Sequence, residues 1–220
     1  MEKELIKNFV TQRFMEDNRQ SCLVMALETA RILSGRDKKN GESRKTVNTG
    51  VDMPDLLDGL HFEDNQYMTT GNFGGLIHYL MLLDLIGNVF VSSTQNPICR
   101  ALREFSSITD DKTLWAIVGL RNSLAHNYGL VSEPKNQSHT KHKFCLHLQD
   151  EMDEMIKIPT PAWDGDCTNK DEKASTDIDV YKLIDAIEEM YQNIKKKAEK
   201  GELKLIIDEA ELKARFTINT

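Results

Sequence analysis

The sequence predicts a mainly α-helical domain carrying one small inserted β-hairpin. Three observations carry that prediction. Apolar residues recur at three- and four-residue spacing over several long stretches, the signature of helices that bury one face. The spacing switches to strict alternation in one short region, around Phe144, Leu146 and Leu148. A chain of 220 residues, 40% hydrophobic and 29% charged, has the length and composition of one globular domain with one sizeable core, spanning 1–220.

Taken in order, Lys3 to Leu33 carries Leu5, Ile6, Phe9 and Val10, then Leu23, Ala26, Leu27, Ala30 and Leu33, so it reads as helix divided near Asp17-Asn18. The pattern stops at Ser34-Gly35. Polar, charged residues follow, and a long surface loop is expected over about 35–53. Pro54 can open a short helix to Leu60. Gly71, Gly74 and Gly75 punctuate the chain before an apolar core helix over Leu76 to Val89. Pro97 suits the first turn of a helix through Leu102 and Phe105, and Thr109 or Asp110 can cap the next, Lys112 to Tyr128.

A hairpin and its connection are expected over about 141–176, with Phe144 to Leu148 answered by Met155 to Ile158 across an acidic turn, and Trp163 pinning the connection. Asp177 can cap a helix carrying Val180, Leu183, Ile184, Ile187, Met190, Tyr191 and Ile194. The last segment, Leu203 to Phe216, fits helix, or strand followed by helix. No repeat and no low-complexity tract is present.

The net charge of −7 argues against broad, non-specific binding to a polyanion, because such binding neutralises many phosphates. Any contact with nucleic acid must be local. The basic runs at Arg36 to Lys39, Arg44-Lys45, Lys141 to Lys143 and Lys195 to Lys197 read as solvated surface. Gly74 to Phe90 is interrupted by His78, Asp84 and Asn88, so no membrane span is expected. The acidic start Met1-Glu2-Lys3-Glu4-Leu5 lacks the order of a secretory signal, and a cytoplasmic protein is the expectation.

Cys22, Cys99, Cys145 and Cys167 form no Cys-x-x-Cys pair and are expected to be reduced, mostly buried thiols. His139, His142, Cys145 and His147 lie close in sequence, but on a strand His142 faces away from Cys145 and His147, so no common metal site is expected. The run Asp150, Glu151, Asp153, Glu154 lacks the glycine and spacing of a calcium loop. Gly71-Asn72-Phe73-Gly74-Gly75 lacks the lysine and preceding strand of a nucleotide loop. His78 on its apolar helix reads as a core histidine.

The chemistry concentrates in Lys112 to Tyr128. As a helix this segment has two largely apolar stripes, one through Trp115, Gly119, Asn122 and His126, the other through Leu114, Ile117, Arg121, Leu124 and Tyr128. A helix apolar on two sides must be covered on two sides, by its own bundle or by a second subunit, and Gly119 would admit another backbone. Asn122 and His126 lie about 40° apart around the axis and share a face, whereas Arg121 and His126 lie about 140° apart. Arg121 must therefore reach by length or meet a His126 from another chain. A two-fold axis beside the helix would assemble one groove with two arginines and two histidines.

Arg121-Asn122-Ser123-Leu124-Ala125-His126 resembles the Arg-x(4–6)-His motif of the HEPN superfamily, in the form with a polar residue after the arginine, and Asn127-Tyr128 continues in the family manner. The resemblance covers the helices between 1 and 130 and the helix after Asp177; the hairpin and final segment look like additions. It implies a HEPN-like helical bundle, a homodimer, and a metal- and cofactor-free RNA endonuclease of the kind found in toxin–antitoxin and abortive-infection systems, with a protein antitoxin or partner. Other members are non-catalytic dimerisation or RNA-binding modules. It implies His126 as general base or acid for the RNA 2′-hydroxyl, Arg121 as binder of the phosphate and of developing charge, Asn122 as support for either, and Tyr128 with Arg121 as substrate contacts. The competing arrangement has Asn122 and His126 paired inside an interface and Arg121 held by an acid such as Asp84 or Glu104.

Overall fold

The computed structural model describes residues 2–15, 18–42, 64–134, 140–148, 152–168 and 171–219. It is mainly α-helical, with two small sheets. Helix α1 (Glu2–Thr11) leads into short strands β1 (Phe14–Met15) and β2 (Arg19–Ser21), which pair antiparallel, so α1 and the next helix are separate, divided in the region the sequence indicates. Ser21 ends β2 and caps α2 (Cys22–Leu33), its Oγ accepting from Val24 N–H.

Helix α3 (Asp64–Phe90) is the centre of the bundle and packs on α2, on α4 (Pro97–Phe105), on α5 (Asp111–Asn127) and on α6 (Val180–Glu199). It runs through the glycines expected to precede it. Gly75 is a contact residue: a Cβ there would stand 2.8 Å from the Ser34 Cβ, so its bareness lets α2 and α3 close up. Gly87 does the same against the Pro97 carbonyl, where a Cβ would lie at 2.0 Å. Leu76, Tyr79, Leu80, Leu83 and Ile86 are buried around this helix. At about 1.5–3 kcal/mol for each large apolar side chain removed from water, they outweigh the weak helix propensity of the glycines. Phe73–Phe90 is long and apolar enough to cross a membrane, and 56% of it is buried inside the protein as a core helix.

Pro97 stands in the first turn of α4 and Asp110 caps α5, as the sequence predicts; α4 itself is capped by Asn96. The start of the expected surface loop is instead built in. Arg36 is 4% exposed and donates to the Gly41 carbonyl and to Asp185, while Arg31 donates to the carbonyls of Lys38 and Lys39. The rest of that loop, 43–53, and the short helix expected at 54–60 lie outside the described residues.

The expected hairpin is replaced by a four-stranded sheet of order β3-β4-β6-β5, made of β3 (Val131–Ser132), β4 (His142–His147), β5 (Ile156–Lys157) and β6 (Thr176–Asp179). β4 and β5 do not pair. β6 lies between them, parallel to β4 and antiparallel to β5. Asp177 is thus a strand residue, and Asp179 caps α6 by accepting from Lys182 N–H at 2.9 Å. Trp163 is buried in the connection as expected, donating to the Asp166 carbonyl. At the end of the chain the helical alternative holds, with α7 at Glu209–Phe216, and a strand outside the expected range, β7 (Thr217–Asn219), follows it and pairs with β2. Cys99 is buried and Cys22 half-buried, but Cys145 and Cys167 are exposed, contrary to expectation, the first on the solvent face of β4 and the second in a turn of the connection before β6.

Candidate functional site

The six-residue segment occupies the last two turns of α5. Leu120 and Leu124 point into the core, so the remaining positions are forced outward on two sides. Ser123 is buried, and its Oγ lies 2.9 Å from the Gly119 carbonyl and 2.8 Å from the Val131 carbonyl, tying β3 to the helix. The helix ends at Tyr128, which takes the left-handed conformation with φ +48° and is 76% exposed. Its N–H donates to the Leu124 carbonyl and that of Gly129 to the Ser123 carbonyl, closing the last turn. Glycine is the usual residue in that conformation, so a tyrosine there holds local strain.

Asn122 and His126 share a face, as their spacing predicts, and both line a cleft of about 500 Å³. Its floor is Trp115, Gly119 and Ser123 of α5; its wall is Val131, Ser132 and His142 of the sheet. Gly119 does permit a close approach, but from the protein's own strands: a Cβ there would meet the Ser132 Oγ at 3.1 Å and the Phe144 ring at 3.4 Å. His126 and Asn122 are both exposed.

Arg121 is not in that cleft. It turns to the other side of α5, where Nη2 forms an ion pair with Asp84 of α3 and Nη1 donates to Asn122 Oδ1 at 3.0 Å. Its Nε is buried without a partner among the described residues, and the side chain as a whole is 22% exposed. Asn122 is therefore the link between the arginine and the cleft. One of the two acids anticipated for Arg121, Asp84, holds it; the other, Glu104, receives Lys197 instead.

His142 lines the cleft, although the sequence offers it as a metal-ligand candidate and as part of a solvated basic run. It is 2% exposed, its Nδ1 lies 2.9 Å from Thr176 Oγ1, and its ring stacks on Phe144 with centroids 5.2 Å apart. Burial pushes its pKa below the ordinary histidine value, which favours a neutral ring. The alternation that puts His142 and Phe144 on one strand face is the signal that could have found it. The wall residues Ser132 and Thr140 carry no such signal; Ser132 reaches the cleft by pairing with His142, and Thr140 lies just before β4. Comparison of the chain with protein-family models, curated proteins and solved structures gives no match.

Proposed function

We propose that this protein is a metal-independent RNA endonuclease of the HEPN type that works as a homodimer in the cytoplasm, as a toxin or phage-defence effector restrained by a protein partner. One observation carries the reading: an exposed histidine opens into a cleft beside an asparagine that is hydrogen-bonded to the motif arginine. The cleft volume is within the ordinary range for small ligands, roughly 300–1,000 Å³, and can take one nucleotide. His126 would accept the proton of the 2′-hydroxyl as its oxygen attacks the adjacent phosphorus, and return a proton to the departing 5′-oxygen. The products would be a 2′,3′-cyclic phosphate and a 5′-hydroxyl end. Arg121 would bind the non-bridging phosphate oxygens, where charge builds in the transition state, through its planar donor fork. Asn122 would orient the histidine or hold a phosphate oxygen through its amide. Tyr128, exposed at the end of the helix, supplies a face on which a base can stack.

Within one chain Arg121 faces away from the cleft that His126 lines, so the active unit is a two-fold pair in which the arginine of one chain serves the histidine of the other. A second reading is favoured by the ion pair with Asp84, which already neutralises Arg121: a non-catalytic dimerisation or RNA-binding module of the same superfamily that serves a partner. Incubation of the purified protein with total RNA in chelator, beside Arg121→Ala and His126→Ala, separates the two. Cleavage that resists the chelator and drops by about 10²–10⁴-fold in both variants is expected of the enzyme. Equal background in all three supports the module.

A further inference from the structure

The outer face of the second sheet brings Asp177 of β6 beside Cys145 and His147, two metal-binding side chains of β4. β4 and β6 run parallel with Cys145 opposite Asp177, and His147 lies two residues further along β4 on the same face. A donor atom from each of Cys145, His147 and Asp177 lies within 4.8 Å of the other two, and His147 Nε2 stands 3.2 Å from Asp177 Oδ1. We propose that Cys145, His147 and Asp177 form a binding site for a divalent ion of the zinc class.

The donor set selects the ion. A thiolate, an imidazole and a carboxylate together are the ligands zinc takes, whereas calcium and magnesium require oxygen donors in greater number. Bonds of about 2.3 Å to sulfur and about 2.0–2.2 Å to nitrogen and oxygen put tetrahedral donors roughly 3.5 Å apart. The His147 to Asp177 distance is close to that value. Cys145 is exposed, so a rotation of its side chain brings the sulfur in without moving the strands. The backbone that carries the three ligands is fixed by the β4 and β6 ladder.

Three protein ligands leave the fourth tetrahedral position to water or to a donor from another molecule. That position is reachable, since the His147 and Asp177 side chains are 29% and 28% exposed. The site lies on the face of β4 opposite His142 and Phe144, so it is separate from the cleft and from the chemistry proposed for Arg121 and His126. An ion there clamps β4 to β6, and β6 runs directly into α6; the ion would fasten the cleft wall to the helical body.

The test is titration of the full-length, tag-free protein with cobalt(II), followed by displacement with zinc(II). Uptake of one equivalent is expected, with a thiolate-to-cobalt charge-transfer band and the strong visible bands of four-coordinate cobalt. Cys145→Ser should abolish the charge-transfer band and weaken binding by more than the roughly 10–100-fold that loss of an outer-shell partner causes. Asp177→Asn should weaken binding and keep the band. Cys167→Ser, at the other exposed thiol, should behave as the parent. Zinc should raise the melting temperature of the parent and not of Cys145→Ser or Asp177→Asn, whose circular dichroism reports whether they fold. No saturable uptake, a weak six-coordinate spectrum without the thiolate band, or a band that survives Cys145→Ser would overturn the site.

Discussion

Two arginines in this bundle are each bound to a carboxylate from another helix, and they are completed differently. Arg31 of α2 meets Glu188 of α6 in a two-pronged pair, Nε to Oε1 at 2.8 Å and Nη2 to Oε2 at 2.6 Å, and its Nη1 serves the carbonyls of Lys38 and Lys39. Tyr79 donates to the same carboxylate at 2.5 Å, and both charged side chains are under a tenth exposed. Burial opposes the charge on Arg31, yet the hydrogen bonds and charge of Glu188 raise its pKa. Arg121 of α5 has a single carboxylate, one asparagine oxygen, a buried Nε without a partner among the described residues, and a fifth of its surface in water. A guanidinium with all three nitrogens bonded and almost no surface in water holds a fold together. One that is half used, at the end of a helix beside a cleft, has donors left for a ligand.

That contrast can be broken in steps of decreasing size. Glu188→Gln should lower the unfolding free energy by about 3–5 kcal/mol, because it strands a buried guanidinium, while cleavage per folded molecule stays unchanged. Denaturant titration at matched activity reads both. Tyr128→Gly should move stability and binding in opposite directions. Relief of the left-handed conformation stabilises by about 1 kcal/mol, and loss of a stacking face weakens RNA affinity by about 1–3 kcal/mol. Thermal melts and a filter-binding titration check it; a fall in stability would mean that the ring packs for structure. The smallest effect belongs to Asp84→Asn. The pair is partly exposed, so its loss should change stability by at most about 1 kcal/mol, and the released Arg121 should bind RNA up to about fivefold tighter. Weaker binding would place Asp84 among the groups that hold Arg121 in its working position.

Much of the helical part was legible because it rests on local periodicity. The buried stripe of α3, Pro97 in the first turn of α4, the cap at Asp110 and the divergence of Arg121 from His126 all follow from residues within a few turns. The sheets were not legible, because their strands are short and pair across long separations. Thr176–Asp179 reads as polar, with alternate burial of Thr176 and Ile178 as its single strand signal, and it is held between β4 and β5 by partners about 20–30 positions away. β1, β2 and β7 have two or three residues each, too few for any period. At the site, the helix face of Asn122 and His126 could be read directly. The wall opposite it, and the meeting of Asp177 with Cys145, depended on that unseen sheet.

In the proposed dimer Arg121 of one chain works with His126 of another. This pairing is tested by mixing two inactive proteins, Arg121→Ala and His126→Ala, under conditions that exchange subunits, and measuring RNA cleavage in chelator. A shared site predicts that the mixed dimer regains one intact arginine and histidine pair, so an equal mixture should recover about one quarter of the parent activity. A mixture no more active than either variant alone would contradict it.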